Sequence, residues 1–382
     1  MIPTRAAGLE KLAEFLPRAG SKYAISRNFD HGPDDRTNVS GLSPYIRTRL
    51  VTEEEIARAV LQRHSPEVAG KFLEEVAWRA YWKGWLEMRP GVWSDYLADL
   101  STLERSPAFT QATEGRTGIA CFDAWARELA ATGYLHNHAR MWFASIWIFT
   151  LKLPWQLGAE FFRRHLLDAD PASNTLSWRW VAGLHTPGKH YLARAANIAK
   201  YTGGRFDPAG QLDESAAPLP PDRVHEIQPL AFIENQAPTG RAGLLLSHED
   251  LTTPAGFEPA ATAVVSPEHF QGGGIPATNF LEGAVLDTRR RTGATLLEGD
   301  FQRGLRTWAA AESLDSIVIH RPATGPWRDF LATIDFPVPT VEWAGAWDRQ
   351  LWPKATAGFF KLRKALPAVL ASHSPGGQLD LF

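Results

Sequence analysis

Two neighbouring stretches decide the fold: GYLHNHARMWFASIWIFTLKLPW at residues 133–155 and LLDADPASNTLSWRWVAG at residues 166–183. The segment ARMWFASIWIFTL is apolar on nearly every side of a helix, which predicts a helix in the centre of a bundle. The polar side chains that accompany it are Asn137, Arg140, Asp168, Asp170 and Asn174. Ionisable groups beside such a core must be paired or bound to a ligand.

Two interpretations of these polar residues need no large ligand. The simpler one is a structural ion pair between Arg140 and Asp168. When each residue is considered alone, such a structural role is the favoured interpretation. The other is a calcium loop, because Asp168, Asp170 and Asn174 are closely spaced oxygen ligands. We reject the calcium loop, since the sharp-turn position has no glycine and Arg179 stands at the twelfth position in place of Glu.

Residues 1–206 show helical patterns throughout. TEEEIARAVLQRH begins with Thr52 and Glu55 at capping-box spacing, and SPEVAGKFLEEVAWRAYWKGWLEM, GIACFDAWARELAAT and PWQLGAEFFRRHLL continue the helical period. Most of the fifteen Trp precede residue 181. The pattern predicts one large helical domain at 1–206, followed by a linker at 207–238 that is rich in Pro, Gly and acidic residues.

Residues 239–345 alternate between strand and helix patterns. AGLLLS, ATAVVS, TGATLLEG and DSIVIHRP are short β-rich runs, and NFLEGAVLDTRRR and DFQRGLRTWAAAES are helical. This alternation predicts a small Rossmann-like parallel α/β domain, so the fold class is α plus α/β. No GxGxxG or GxxxxGK[ST] follows these strands. A connecting helical segment is predicted at 346–370 and a flexible tail at 371–382.

Composition narrows the chemistry. Cys121 is the only cysteine of the 382 residues, which excludes an internal disulfide and a Cys-ligated zinc or iron–sulfur site. No metal is predicted, and redox chemistry requires an organic cofactor or aromatic side chains. Residues 1–210 contain 26 Lys and Arg against 22 Asp and Glu, and the remainder 14 against 20, which favours a DNA surface on the first half. We expect a cytoplasmic protein without a membrane segment.

The motifs resemble the FAD domain of the DNA photolyase/cryptochrome family. That signature reads approximately G-W-x-H-N-x-x-R-M, then D-x-D-x-A-x-N, then W-x-W. This chain matches it at Gly133, His136, Asn137, Arg140, Met141, Asp168, Asp170, Ala172, Asn174, Trp178 and Trp180. Upstream, GLSPYI at 41–46 resembles the family's phosphate-binding segment, and EEVAWRAYW at 74–82 resembles its lesion-facing helix. Tyr134 replaces the usual Trp, and Val39 stands where the family often has Thr.

The resemblance implies FAD as cofactor and gives roles to the matching residues. Tyr23, Ser40, Ser43 and Arg79 would hold the pyrophosphate, because hydroxyls and a guanidinium donate to phosphate oxygens. Arg140 and Asp168 would form an ion pair beside the flavin ring. Asp170 would contact the pyrimidine edge of the ring, and Asn174 would face its N5 atom. A second, antenna chromophore stays unknown.

The same resemblance implies light-driven repair of ultraviolet-damaged DNA, by splitting cyclobutane pyrimidine dimers. Lesion recognition would use Glu75, Trp78, Asn137, Met141 and Trp180. Relatives that act on (6-4) photoproducts have histidines where this chain has Asn137 and Met141, which favours cyclobutane dimers. The alternatives are repair of (6-4) photoproducts, a cryptochrome-like photoreceptor, and a helical scaffold that has lost FAD.

Two tryptophans match the family's electron-transfer chain. Trp178 and Trp155 correspond to its first two members, and with Glu75 and Asn174 they form the predicted catalytic set. The third member would fall near Thr102, where this chain has no Trp. Trp93 and Trp147 are the candidates to replace it.

The domain order is the reverse of the family's usual order. Family members begin with an α/β antenna domain, whereas here the helical half comes first. GLLLSHEDL resembles the first strand and turn of the antenna domain, and TAGFFKLRKALPAVL resembles the stretch that leads into the helical half. We hypothesise a circular permutation, with an unrelated α/β domain as the alternative.

The C-terminal QLDLF resembles the short peptide with which bacterial repair proteins bind the polymerase sliding clamp. Gln378, Leu379, Leu381 and Phe382 would be its anchors. A frayed terminus with chance similarity is the alternative. The predicted partners are therefore ultraviolet-damaged DNA and the sliding clamp, and we expect a monomer.

Overall fold

The computed structural model describes residues 1–221, 223–230, 234–270 and 274–372. Helices fill its first half: α1 Arg5–Phe15, α2 Ser21–Ser26, α3 Ser43–Arg47, α4 Glu53–Leu61, α5 Pro66–Glu87, α6 Gly91–Thr102, α7 Pro107–Thr113, α8 Ala120–Thr132, α9 Asn137–Ser145, α10 Trp155–His165, α11 Pro171–Ala182 and α12 Ala195–Tyr201. A π-helical turn, Ile146–Thr150, extends α9.

Local sequence explains where the important helices begin and end. The capping box predicted from Thr52 and Glu55 is present at the start of α4. The Asp170 side chain accepts a hydrogen bond from Ser173 N and so caps α11, which ends at Gly183 with a left-handed φ of 83°. As predicted, the apolar α9 is central, and Trp142 and Phe143 have no exposed surface.

The second half forms one parallel sheet. Its strands are β1 Ala242–Leu246, β2 Ala261–Val265, β3 Thr295–Leu297, β4 Ser316–His320 and β5 Thr340–Trp343, in the order β3-β2-β1-β4-β5. The helices of this half are α13 Ile275–Thr292, α14 Phe301–Ala311, α15 Pro326–Leu331, α16 Ala346–Leu351 and α17 Phe359–Ser372. The parallel α/β prediction is confirmed, while the sequence analysis did not identify β5. Helix α17 also continues two residues into the predicted tail.

One apolar core joins the two halves. Leu244 and Val318 of the sheet belong to the same buried cluster as Trp352 and the helices of the first half. A Cβ at Gly84 of α5 would lie 2.5 Å from the Trp352 Cα, so glycine is needed for this close approach. A second cluster, which includes Trp308, lies on the other face of the sheet.

Buried and partly buried ion pairs also join the two halves. Arg49 lies 2.8 Å from Asp250 and 2.5 Å from Asp348, and Arg328 lies 2.6 Å from Glu87. No helix within the described part of the chain is long and apolar enough to cross a membrane. The predicted clamp peptide, residues 378–382, lies outside the described residues.

Candidate functional site

A cavity of about 610 Å³ lies among the helices of the first half. It is bounded by α2, the segment before α3, and helices α5, α9 and α11. Every residue predicted from the sequence to contact the cofactor or the lesion lines this cavity: Tyr23, Ser40, Ser43, Glu75, Trp78, Arg79, Asn137, Arg140, Met141, Asp168, Asp170, Asn174 and Trp180. Trp178 lines it as well, whereas Trp155 does not.

Helical periodicity explains how α11 presents its side chains. Because Asp170 caps the helix, residues at intervals of three and four from it fall on one face, namely Asn174, Ser177, Trp178 and Val181. Asn174 Nδ2 donates a 2.7 Å hydrogen bond to Ala159 O on α10. This bond fixes the amide and leaves Asn174 Oδ1 as its acceptor atom for the cavity.

The Arg140–Asp168 pair predicted from the sequence is present, with 3.1 Å between Arg140 Nη2 and Asp168 Oδ2. Arg140 Nε also donates to Leu135 O at 2.8 Å, which holds the guanidinium in place. Burial alone would raise the pKa of Asp168. Arg140, the Ser43 hydroxyl and Arg79 lower this pKa by more than burial raises it, so it lies below the usual value. Asp168 is therefore a carboxylate at neutral pH.

Asp170 is the most deeply buried acid of the cavity. Its Oδ2 atom lies 3.4 Å from Lys83 Nζ and 3.6 Å from Arg79 Nη1. Burial raises the pKa of Asp170, yet Lys83, Arg79 and Arg47 together hold it well below its ordinary range. The cavity thus contains a second fixed negative charge.

Glu75 and Arg27 form another ion pair on the cavity wall, 2.5 Å apart. Burial is the largest influence on Glu75 and raises its pKa, although Arg27 opposes this. Arg27 was not predicted from the sequence. Its position four residues after Tyr23, at the C-cap of α2, is the signal in the sequence that indicates it.

The two aromatic side chains Trp78 and Trp180, which line the cavity, each stack on a second aromatic ring of the protein. Trp78 stacks on Phe359 of α17, with ring centroids 3.8 Å apart and planes 10° apart. One face of the Trp78 indole is therefore covered by protein. Trp180 stacks on Tyr191 with a centroid distance of 5.8 Å.

The two predicted electron-transfer tryptophans have different surroundings. Trp178 contacts Trp147 at 6.1 Å between ring centroids. Trp155 lies outside the cavity and stacks on Tyr96 at 5.7 Å, and Tyr96 lies 5.4 Å from Trp93. Both candidates for the missing third member are thus next to the predicted pair, Trp147 beside Trp178 and Trp93 beyond Trp155.

Comparison with known proteins identifies the helical half. The model of the FAD-binding domain of DNA photolyase matches residues 72–215, which contain most of α5 and all of α9 and α11 of the cavity. The helical half of the chain is therefore similar to the FAD-binding domain of DNA photolyases.

The similarity covers part of each family member. The deoxyribodipyrimidine photo-lyase of Agrobacterium fabrum is 33% identical over 188 residues, which are 47% of this chain and 38% of that protein. A deoxyribodipyrimidine photo-lyase of Thermus thermophilus is 33% identical over 237 residues, 59% of this chain and 54% of that protein. A class III photolyase structure from Agrobacterium tumefaciens is 30% identical with a TM-score of 0.45, over 52% of this chain and 43% of that one. The chain thus spans about half the length, or less, of these relatives.

The cavity suits the family's FAD cofactor. Its volume lies within the range of about 300–1,000 Å³ that is typical of small-molecule sites. Within the described ranges, the buried atoms Ser173 Oγ and Trp178 Nε1 have no hydrogen-bond partner, and both residues line the cavity. Arg79 Nη1 and Asp170 Oδ2 also lack hydrogen bonds, but they form an ion pair at 3.6 Å. A buried polar atom without a hydrogen bond costs about 1–3 kcal/mol, so a polar ligand that bonds to Ser173 or Trp178 would stabilise the fold. No cluster of metal ligands occurs among the same described residues.

His138 is a further cavity residue for which the sequence gave no role. Its Nδ1 atom lies 3.0 Å from Asn28 O and its Nε2 atom 3.3 Å from the Tyr191 hydroxyl. Burial lowers the pKa of His138, which keeps the imidazole neutral at pH 7. His136 lies nearby, caps α9 through its Nδ1 atom, and does not line the cavity.

Proposed function

We propose that this protein binds FAD in the cavity and uses light to repair ultraviolet-damaged DNA by splitting cyclobutane pyrimidine dimers. One observation carries the proposal: a single cavity contains both the charged residues expected around a flavin and the aromatic walls expected around flipped bases. The activity is a lyase reaction like that in the names of the photo-lyase relatives.

Different cavity residues would bind different parts of the cofactor, according to their charge. Tyr23, Ser40, Ser43 and Arg79 would donate hydrogen bonds to the pyrophosphate. Asp170 would accept from the ring's pyrimidine edge, and the Arg140–Asp168 pair would lie beside the ring. Asn174 would offer its Oδ1 atom to N5, since Nδ2 is bound to Ala159 O. FAD supplies light-driven donation of one electron to the lesion and takes that electron back after the dimer splits.

Lesion binding requires the damaged dinucleotide to leave the duplex, at a cost of a few kcal/mol. The rings of Trp78 and Trp180, which both line the cavity, would hold the flipped bases between them. Asn137 and Met141 would complete the apolar and polar contacts. Glu75, whose pKa burial raises, would hydrogen-bond to a base from beside Arg27.

Helix α17 supplies a basic surface beside this pocket. Helix α17, Phe359–Ser372, contains three basic residues, Lys361, Arg363 and Lys364, and no acidic residue. Phe359 stacks on Trp78, while Phe360 is 72% exposed and Lys361 and Lys364 are exposed. This face of α17 would contact DNA phosphates next to the lesion.

The decisive experiment illuminates the FAD-loaded, reduced protein with an oligonucleotide that contains one cyclobutane dimer. We expect restored pyrimidines in the light and none in the dark, with a (6-4) oligonucleotide left unchanged. If neither lesion is repaired, while a parallel sample with oxidised FAD is reduced in the light, repair is refuted and a photoreceptor is supported. One observation favours the photoreceptor: the Phe359 ring covers one face of the Trp78 indole.

The α/β half would be a permuted antenna-type domain. Its parallel order β3-β2-β1-β4-β5 and the packing of α17 against α5 support this hypothesis. It is tested with a re-ordered chain in which residues 239–372 precede residues 1–230. We expect this chain to fold with the same FAD absorption spectrum, and an insoluble or FAD-free product would count against permutation.

The QLDLF tail would bind the sliding clamp. The sequence alone supports this proposal, through the Gln378 handle and the Leu381 and Phe382 anchors. A binding titration of the full chain with purified clamp should show saturation, and Phe382→Ala should abolish it. Equal binding by the variant would refute the assignment.

A further inference from the structure

A carboxylate from the α/β half is connected through buried cations to Asp170, which lines the cavity. Glu249 follows β1 at the carboxyl end of the sheet, and its side chain is only 11% exposed. Its Oε1 atom lies 2.7 Å from Arg47 Nη2, and its Oε2 atom lies 3.5 Å from Lys83 Nζ on α5. Both cations are buried as well.

These two cations connect Glu249 to Asp170. Lys83 Nζ lies 3.5 Å from Glu249 and 3.4 Å from Asp170, so the ammonium is shared by the two acids. Arg47 Nε donates at 3.2 Å to Ala169 O, in the peptide unit that precedes Asp170. Arg47 and Lys83 lower the pKa of Glu249 to about 2 in spite of its burial, so it carries a full negative charge.

The balance of charge gives Glu249 a role beyond joining the halves. Among the residues that the structure describes, the ion pairs of Arg47, Arg79 and Lys83 involve two carboxylates, Glu249 and Asp170, so this group has a net charge of +1. Without Glu249 the group would carry +2, in a dry environment where an unpaired charge acts strongly on its neighbours. Asp170 and Arg79 of this group line the cavity.

We propose that Glu249 is a positioning residue of the cofactor cavity, which holds Lys83 and Arg47 against Asp170 and sets the charge that the flavin ring meets. The inference rests on the proposed binding of FAD. It makes the cavity of the helical half dependent on a side chain from the α/β half.

The test compares full-length variants by the midpoint potential of bound FAD. Glu249→Gln leaves an extra positive charge near the ring, so we expect a higher potential, because reduction adds negative charge. Lys83→Gln should shift the potential in the opposite direction. The double variant restores the net charge of +1, and its potential should return towards that of the unmodified protein.

Two further measurements separate positioning from folding. We expect Glu249→Gln to bind oxidised FAD about tenfold more weakly, within the range usual for coupling between separate groups. Glu249→Asp should recover part of that affinity. The matched control is Glu312→Gln in the same half, where Glu312 pairs with Arg241 at 3.5 Å, and it should change neither quantity.

Unchanged potentials in Glu249→Gln and Lys83→Gln, with only the unfolding temperature lowered, would overturn the inference and leave Glu249 as a tie between the halves. If Glu249→Gln does not fold, the comparison of Lys83→Gln with the double variant decides, and equal potentials in these two would overturn it. An unmodified protein that binds no FAD would instead refute the proposed function.

Discussion

Replacing Phe359 by Ala tests whether α17 supports the lesion-binding wall. The Phe359 ring is 5% exposed, stacks on Trp78 at 3.8 Å and meets Tyr81 edge-on at 5.5 Å. Burial of this kind makes Phe→Ala cost about 3–5 kcal/mol. Because Phe359 is the first residue of α17, the helix end can partly close the gap, and we expect about 3 kcal/mol.

Phe359→Leu serves as the matched variant, since it retains most of the apolar volume and loses the ring stack. Aromatic pairs contribute about 0.5–1.5 kcal/mol beyond burial, so this variant should lose about 1 kcal/mol. Urea unfolding measures both values.

The functional consequence follows from the freedom that Trp78 gains. Ordering a free side chain on binding costs about 0.5–1.5 kcal/mol, which predicts about fivefold weaker binding of a dimer-containing oligonucleotide by Phe359→Ala. FAD affinity should not change, because Phe359 does not line the cavity. Equal oligonucleotide affinity in a folded but destabilised variant would refute the idea that α17 orients Trp78.

Three further predictions concern charge, the cofactor and pH. The double variant Lys361→Glu, Lys364→Glu should weaken the binding of damaged and undamaged DNA alike, and it should reduce the slope of log affinity against log salt concentration by about 2. The control Arg303→Glu on α14 should change neither quantity. An unchanged slope in the double variant would exclude α17 from the DNA surface. Asn174→Ala should shorten the lifetime of reduced FAD about tenfold, measured by absorbance after photoreduction, and an unchanged lifetime would contradict its role. Burial lowers the pKa of His136 to about 4 and that of His185 to about 3. Below pH 6.5 the unfolded chain therefore binds more protons than the folded chain. The free energy of unfolding should fall from pH 6.5 towards pH 4, by about 1.4 kcal/mol per pH unit for each histidine. Urea midpoints at pH 7 and 5 check this, and His185→Gln should reduce the difference.

The part of the site that the sequence predicts well is built by local rules. Asp170, Asn174 and Trp178 share a face because they follow one another at four-residue intervals in a capped helix. The Arg140–Asp168 pair joins residues 28 apart, yet both belong to one recognisable motif. Such relations depend on helix geometry, which short sequence windows contain.

The contacts that sequence reasoning missed join distant segments. Trp78 and Phe359 are separated by 281 residues, and Lys83 and Glu249 by 166, so their meeting depends on how the two halves pack. Strand β5 was missed for a different reason. Its polar and apolar residues alternate as in a half-buried strand, but TVEW has only four residues, the shortest length at which alternation indicates a strand.

The charge counts of the two halves show that the length of sequence over which charges are counted decides what the count says about DNA binding. They assigned an excess of acid to the second half, yet helix α17 of that half contains only basic charges. A phosphate in physiological salt interacts with charges within about 8–10 Å. At about 1.5 Å per helical residue, this distance corresponds to two turns of helix. Counts over more than 150 residues therefore mix charges that no single phosphate can sense. A count over one helix, read together with the contact between Phe359 and Trp78, is the measure that bears on DNA binding.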